Sequence, residues 1–150
     1  MKPSIIKAIL GGIAGTLMMS LMMRFAAPMM VGQPMDIAAM LGNMMGGVYA
    51  LGMAAHIMLG VLVFPLIYAF LVYRLLPGGP LIKGLSWGLV LWLIAETMVM
   101  PMAGAGFFMS EIGGMKAVMA ALMGHLVYGG LLGVIAGKAD GCCSADRSPA

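Results

Sequence analysis

An all-α, integral membrane four-helix bundle is the fold class this sequence predicts, and three observations predict it. Of 150 residues, 63% are hydrophobic and only 9% charged, with a mean hydropathy of +1.08. A soluble domain of this size keeps much of its surface polar and has no use for so much apolar area. The apolar residues gather in four stretches, at about 4–26, 51–73, 81–100 and 115–137. Each is close to the ~20 residues a helix needs to cross about 30 Å of hydrocarbon. Within the last stretch His125, Gly129, Gly133 and Gly137 follow one another at steps of four, which on a helix stacks them on one face. A chain crossing a bilayer must satisfy its backbone internally, so these stretches read as four transmembrane helices.

Helix one, from Ser4 to Ala26, carries Gly12, Thr16, Ser20 and Arg24 at steps of four, a small and polar stripe on an apolar cylinder. Its length, and the poor cleavage-type site after it, speak for a retained helix rather than a removed signal peptide. The connection from Ala26 to Gly47 is rich in Met, Gly and Pro. Inside it Pro34 to Leu41 predicts a short interfacial helix ended by Gly42. Helix two has Gly52, His56 and Gly60 at steps of four, and Pro65 predicts a kink. Arg74 to Pro80 is a tight turn. Helix three carries Gly84, Gly88 and Glu96 and is expected to stop at Pro101. The loop from Met102 to Gly114 holds Phe107 and Phe108, which suit an interface. Helix four follows, and residues 138–150 form a polar tail.

Four spans put both termini on one side. Lys2, Lys7, Arg74, Lys83, Lys138 and Arg147 fall on that side, and Arg24 and Lys116 on the other, so the positive-inside bias makes the termini cytoplasmic. The net charge of +3 is accounted for by topology and implies no nucleic-acid partner. The lipid bilayer is the expected environment, with a second copy or a membrane partner as a further possibility. An internal repeat is also legible. A shift of 76 puts Gly12 on Gly88 and Ser20 on Glu96, and a shift of 69 puts His56 and Gly60 on His125 and Gly129. Two related helical hairpins are therefore expected, with both histidines at similar depth.

Ionisable side chains within a bilayer are costly and point to function by default. Small residues let helices approach closely, so the stripes carrying His56, His125, Glu96, Arg24, Ser20 and Thr16 should face the interior. The bland reading is that these groups neutralise one another and fix the packing. Three sharper readings compete with it. In the first, His56 and His125 are axial ligands of haem b, Gly60 and Gly129 make room for the ring, and Arg24 meets a propionate. In the second, His56, His125 and Glu96 hold a bare transition metal. In the third, methionines on the outer surface handle Cu(I), through Met18-x3-Met22 and Met115-x3-Met119-x3-Met123. Helix geometry weighs against the third, because Met123 lies about 200° around the helix from His125 at ~100° per residue. A methionine ladder at such spacing is ordinarily apolar filler.

Cys142 and Cys143 lie in the tail, where a cytoplasmic location keeps them reduced and free for a soft metal or a palmitoyl chain. No phosphate-binding loop, nucleophile elbow or paired acid and base is present, so no catalytic residue is assigned and the sequence leaves open whether the chain is an enzyme. The runs Met29 to Ile37, Pro101 to Phe108 and Gly124 to Gly129 resemble a family of small bacterial inner-membrane proteins of unknown function. The resemblance spans Ile5 to Gly137. It implies four spans in a bacterial cytoplasmic membrane and brings no activity with it.

Overall fold

The structure, a computed structural model, describes residues 4–137. The tail with Cys142 and Cys143, and the basic residues Lys2, Lys138 and Arg147, lie outside them. Four helices are long and apolar enough to cross a membrane: α1 (Ile5–Val31), α3 (Tyr49–Leu75), α4 (Pro80–Met102) and α5 (Gly114–Ala136). A short α2 (Ile37–Met44) joins the first two, and a single 3-10 turn (Phe107–Met109) precedes α5. The fold is an all-α bundle, as the hydropathy pattern requires.

Two expected helix ends move. The first helix runs on to Val31 instead of ending at Ala26, and the third passes through Pro101 to Met102. A proline inside a helix removes one hydrogen bond and crowds the carbonyl four residues back. Here the chain absorbs the crowding by widening to a π turn just before each proline: Met22–Ala26 before Pro28, Leu59–Val63 before Pro65, Ala95–Val99 before Pro101. In each, the amide preceding the proline reaches back five residues: Ala27 to Met22, Phe64 to Leu59, Met100 to Ala95. The carbonyls of Met23, Gly60 and Glu96 then lose both intrahelical donors, since the next amide in register belongs to proline. An unpaired buried carbonyl costs about 1–3 kcal/mol. Met35 N–H fills the first at 3.2 Å, and the Tyr128 hydroxyl fills the second at 2.7 Å.

Packing follows the glycines. α5 lies between α1 and α4 and packs along both, while α3 packs on α1 and α2 and meets α4 chiefly at Tyr68–Val72, beside their connecting turn. A Cβ added at Gly129 would meet Gly84 O and, at 2.8 Å, Gly88 N, and one at Gly133 would meet Gly84 Cα at 2.8 Å. The α4–α5 seam is thus backbone against backbone, the arrangement a step-of-four glycine stripe permits. On the other side of α5, Gly15 accepts the Tyr128 ring and Gly11 the Leu132 backbone.

The short helix also departs from expectation. α2 continues to Met44, and Gly42, expected to end it, is the point where it crosses α3 at Gly52. Asp36 caps this helix by accepting from Ala39 N–H at 2.9 Å. At the opposite end of the bundle, the α3–α4 turn is tied by Lys83 Nζ donating to Tyr73 O at 2.7 Å, with the ammonium 4.3 Å from the Tyr73 ring centre.

Candidate functional site

Above that turn lies a partly open chamber of about 230 Å³, lined by all four long helices, by α2 and by the 3-10 turn. Phe64 and Trp87 meet edge to face at 6.4 Å between α3 and α4, towards the turn end of the chamber. Thr16 of α1, His56 and Gly60 of α3, Glu96 of α4, and His125 of α5 all line it. The three ionisable residues singled out in the sequence are therefore brought to one space. A second cavity of about 180 Å³, bounded by Arg24, Asp36, Tyr49 and Met53, shares Met23, Met35, Ile37 and His56 with the chamber. Arg24 itself is exposed in this vestibule and does not line the chamber.

The proton positions of both imidazoles follow from their partners. Ser20 has one hydroxyl proton and donates it to Thr16 O at 2.8 Å. Its 3.1 Å contact with His56 Nε2 must then be a hydrogen bond given by the imidazole, so His56 carries its proton on Nε2. His125 Nδ1 stands 2.8 Å from Ala121 O, which can only accept. Nδ1 holds the proton there, and Nε2 is left as a lone pair. A histidine oriented by a backbone carbonyl in this way has the form of a metal ligand or proton acceptor.

Glu96 is the least expected feature of the site. It is 0% exposed, and neither carboxyl oxygen has a hydrogen-bond partner. Thr16 Oγ1 and Trp87 Nε1, also on the chamber wall, are likewise buried without partners. Buried polar groups are paired in the great majority of structures, and each exception calls for a cause. The residues that carry these atoms have one thing in common, a place on the chamber wall. Glu96 also sits in the π turn that Pro101 imposes, and such turns are common at functional sites.

One glycine is placed otherwise than expected, and the methionines that face inward are not those of the ladder. Gly129, expected to make room for a ring, packs on α4 at Gly84 and Gly88 and lines no part of the chamber; Gly60 does line it, facing Thr16. The ladder methionines Met18, Met115, Met119 and Met123 are exposed. The buried methionines among the described residues are Met19, Met23, Met35, Met100 and Met109, and every one of them lines the chamber. Met109 is held there by a strained loop, with Phe108 at φ 48° and Met109 at φ 50°. Positive φ in residues other than glycine costs on the order of 1–2 kcal/mol each. Phe108, expected at an interface, also braces α4 by meeting Trp92 at 6.0 Å. Among the described residues no three His, Cys, Asp or Glu side chains are grouped to hold a metal ion by themselves.

No curated protein and no solved structure matches the chain. The pattern of one family does match it, over residues 3–144, a family described only as being of unknown function. This all-α chain, with four helices long and apolar enough to cross a membrane, belongs to that family, DUF6789.

Proposed function

We propose that this multi-pass membrane protein holds a ligand inside the bilayer, in the chamber bordered by His56, Glu96 and His125. One observation carries the reading: a carboxyl group at 0% exposure with both oxygens unpartnered, on a residue that lines the chamber. Such a group costs several kcal/mol in an apolar interior unless something meets it. What meets it is a cation or a strong hydrogen-bond donor. The His125 Nε2 lone pair, on the same chamber wall, favours a transition metal among the cations.

Haem b fits these residues less well. His56 Nε2, the nitrogen that would face iron, donates to Ser20, and Gly129 is taken up by the α4 seam. The repeat reading is compatible with the chamber, since the Ser20–His56 pair of one hairpin corresponds to Glu96 and His125 of the other. We further propose that the termini are cytoplasmic, in a bacterial inner membrane, with the exposed methionine face turned to lipid or to a second copy.

Metal analysis and an optical spectrum of the purified protein, alongside His125→Ala and Glu96→Leu, test the ligand reading. A stoichiometric metal lost in both variants supports it. A sharp visible band restores haem. A protein with neither, whose variants keep every property of the parent except stability, is a structural or partner-binding subunit, and the ligand reading falls.

A further inference from the structure

We infer that the ligand is a soft monovalent metal ion of the Cu(I) class, held chiefly by thioether sulfur from the chamber wall. The inference rests on the ligand reading above and names its chemistry. All the methionines buried among the described residues converge on this chamber. The rest of the buried apolar core is built from Ala, Tyr, Trp, Val and Leu. Filler methionines would be scattered through the core, whereas these are gathered around one space. Met19 and Met23 are one turn apart on α1, both line the chamber, and both pack on the α5 backbone at Gly124, the residue before His125 in the sequence. Met35 is tied to Met23 by a hydrogen bond from its backbone N–H to the Met23 carbonyl.

Thioether and imidazole are neutral ligands, and thioether selects Cu(I) over harder ions. A monovalent ion held by them keeps one positive charge, which is costly within a bilayer. Glu96 carries the single negative charge that cancels it, so the loaded chamber is neutral. His125 is oriented for the task, its Nδ1 proton held by Ala121 O and its Nε2 left to bind. The ion is bound already reduced, and no redox step is involved. The vestibule at Arg24, Asp36 and Met53 adjoins the chamber at His56 and gives a way in.

The test is a titration of the full chain in lipid nanodiscs with Ag(I), a redox-inert stand-in for Cu(I), and separately with Zn(II). Cys142→Ser and Cys143→Ser remove the tail thiols beforehand. One Ag(I) per chain is expected, with Zn(II) binding at least tenfold weaker. Met19→Leu combined with Met23→Leu, a change close in volume, should weaken Ag(I) at least tenfold while helicity is unchanged. Met18→Leu with Met119→Leu should leave it unaltered. Ag(I) binding indifferent to Met19 and Met23, or lost with the tail cysteines, overturns the inference. Zn(II) binding that depends on His125 and Glu96 without Ag(I) binding overturns it too, and leaves the ligand reading standing. A chain that binds neither ion and carries no other ligand overturns both.

Discussion

Tyr128 gives its hydroxyl to the Gly60 carbonyl at 2.7 Å, and Pro65, five residues beyond Gly60, is the reason that carbonyl is free to take it. One proline thus fixes the joint between α3 and α5. Tyr128→Phe removes the donor and leaves a buried acceptor unmet. The expected cost is about 0.6–2 kcal/mol, the range for hydrogen bonds between membrane helices. Pro65→Ala restores an amide that can serve Gly60 from within the helix. In a double-mutant cycle read by thermal unfolding in detergent, Tyr128→Phe should cost less in the Pro65→Ala background than in the parent. Equal costs in both would separate the proline from the bond.

The glycine seam gives a second prediction. Gly129→Leu or Gly133→Leu should destabilise the bundle severely, because the added side chain meets the α4 backbone at Gly84. Met119→Leu should be nearly neutral, since Met119 is exposed and the volumes are similar. Thermal unfolding of the three variants checks the order. A Met119 variant more damaging than either glycine variant would place the interior face wrongly.

What was legible in the sequence divides along physical lines. The four long apolar helices followed from hydropathy, and the tight α4–α5 contact from the step-of-four glycines, because both are signals that local pattern fixes. That His56, Glu96 and His125 line one chamber agrees with placing polar residues on small-residue stripes, although they are not grouped closely enough to hold a metal by themselves. The sites of the π turns were less visible: Pro65 read as a kink and Pro101 as a stop, although a proline late in an apolar run is a signal for either. Nor did spacing reveal which methionines face inward. Met18 and Met19 are neighbours on one helix, and only the direction of α5 relative to α1 buries one and exposes the other. The same holds for Gly60 and Gly129, equivalent in pattern but set against a threonine in one case and a helix backbone in the other.

Glu96→Leu separates stability from binding. In ligand-free protein the change removes an unpartnered buried carboxyl and supplies an apolar side chain of comparable size. Stability should rise or hold, by about 0–3 kcal/mol. Under metal-loaded conditions the same variant should lose the stabilisation that metal gives the parent. Unfolding midpoints with and without Ag(I) check both halves. A large loss of stability in the ligand-free variant would mean that Glu96 has a structural partner.

The imidazole protons can be read directly. Nitrogen-15 spectra of labelled protein should find His125 protonated on Nδ1 and His56 on Nε2, as their partners dictate. Ser20→Ala should alter the His56 signals and leave those of His125 in place. The reverse pattern of protonation would remove the reason for treating His125 as the ligand.

X-ray absorption at the copper edge, on Cu(I)-loaded protein carrying Cys142→Ser and Cys143→Ser, tests the central claim most directly. Thioether sulfur together with a single imidazole nitrogen around the metal is the expected result, with the sulfur signal reduced in Met19→Leu combined with Met23→Leu. A copper shell made only of nitrogen and oxygen, or one that the two methionine changes leave untouched, would contradict it.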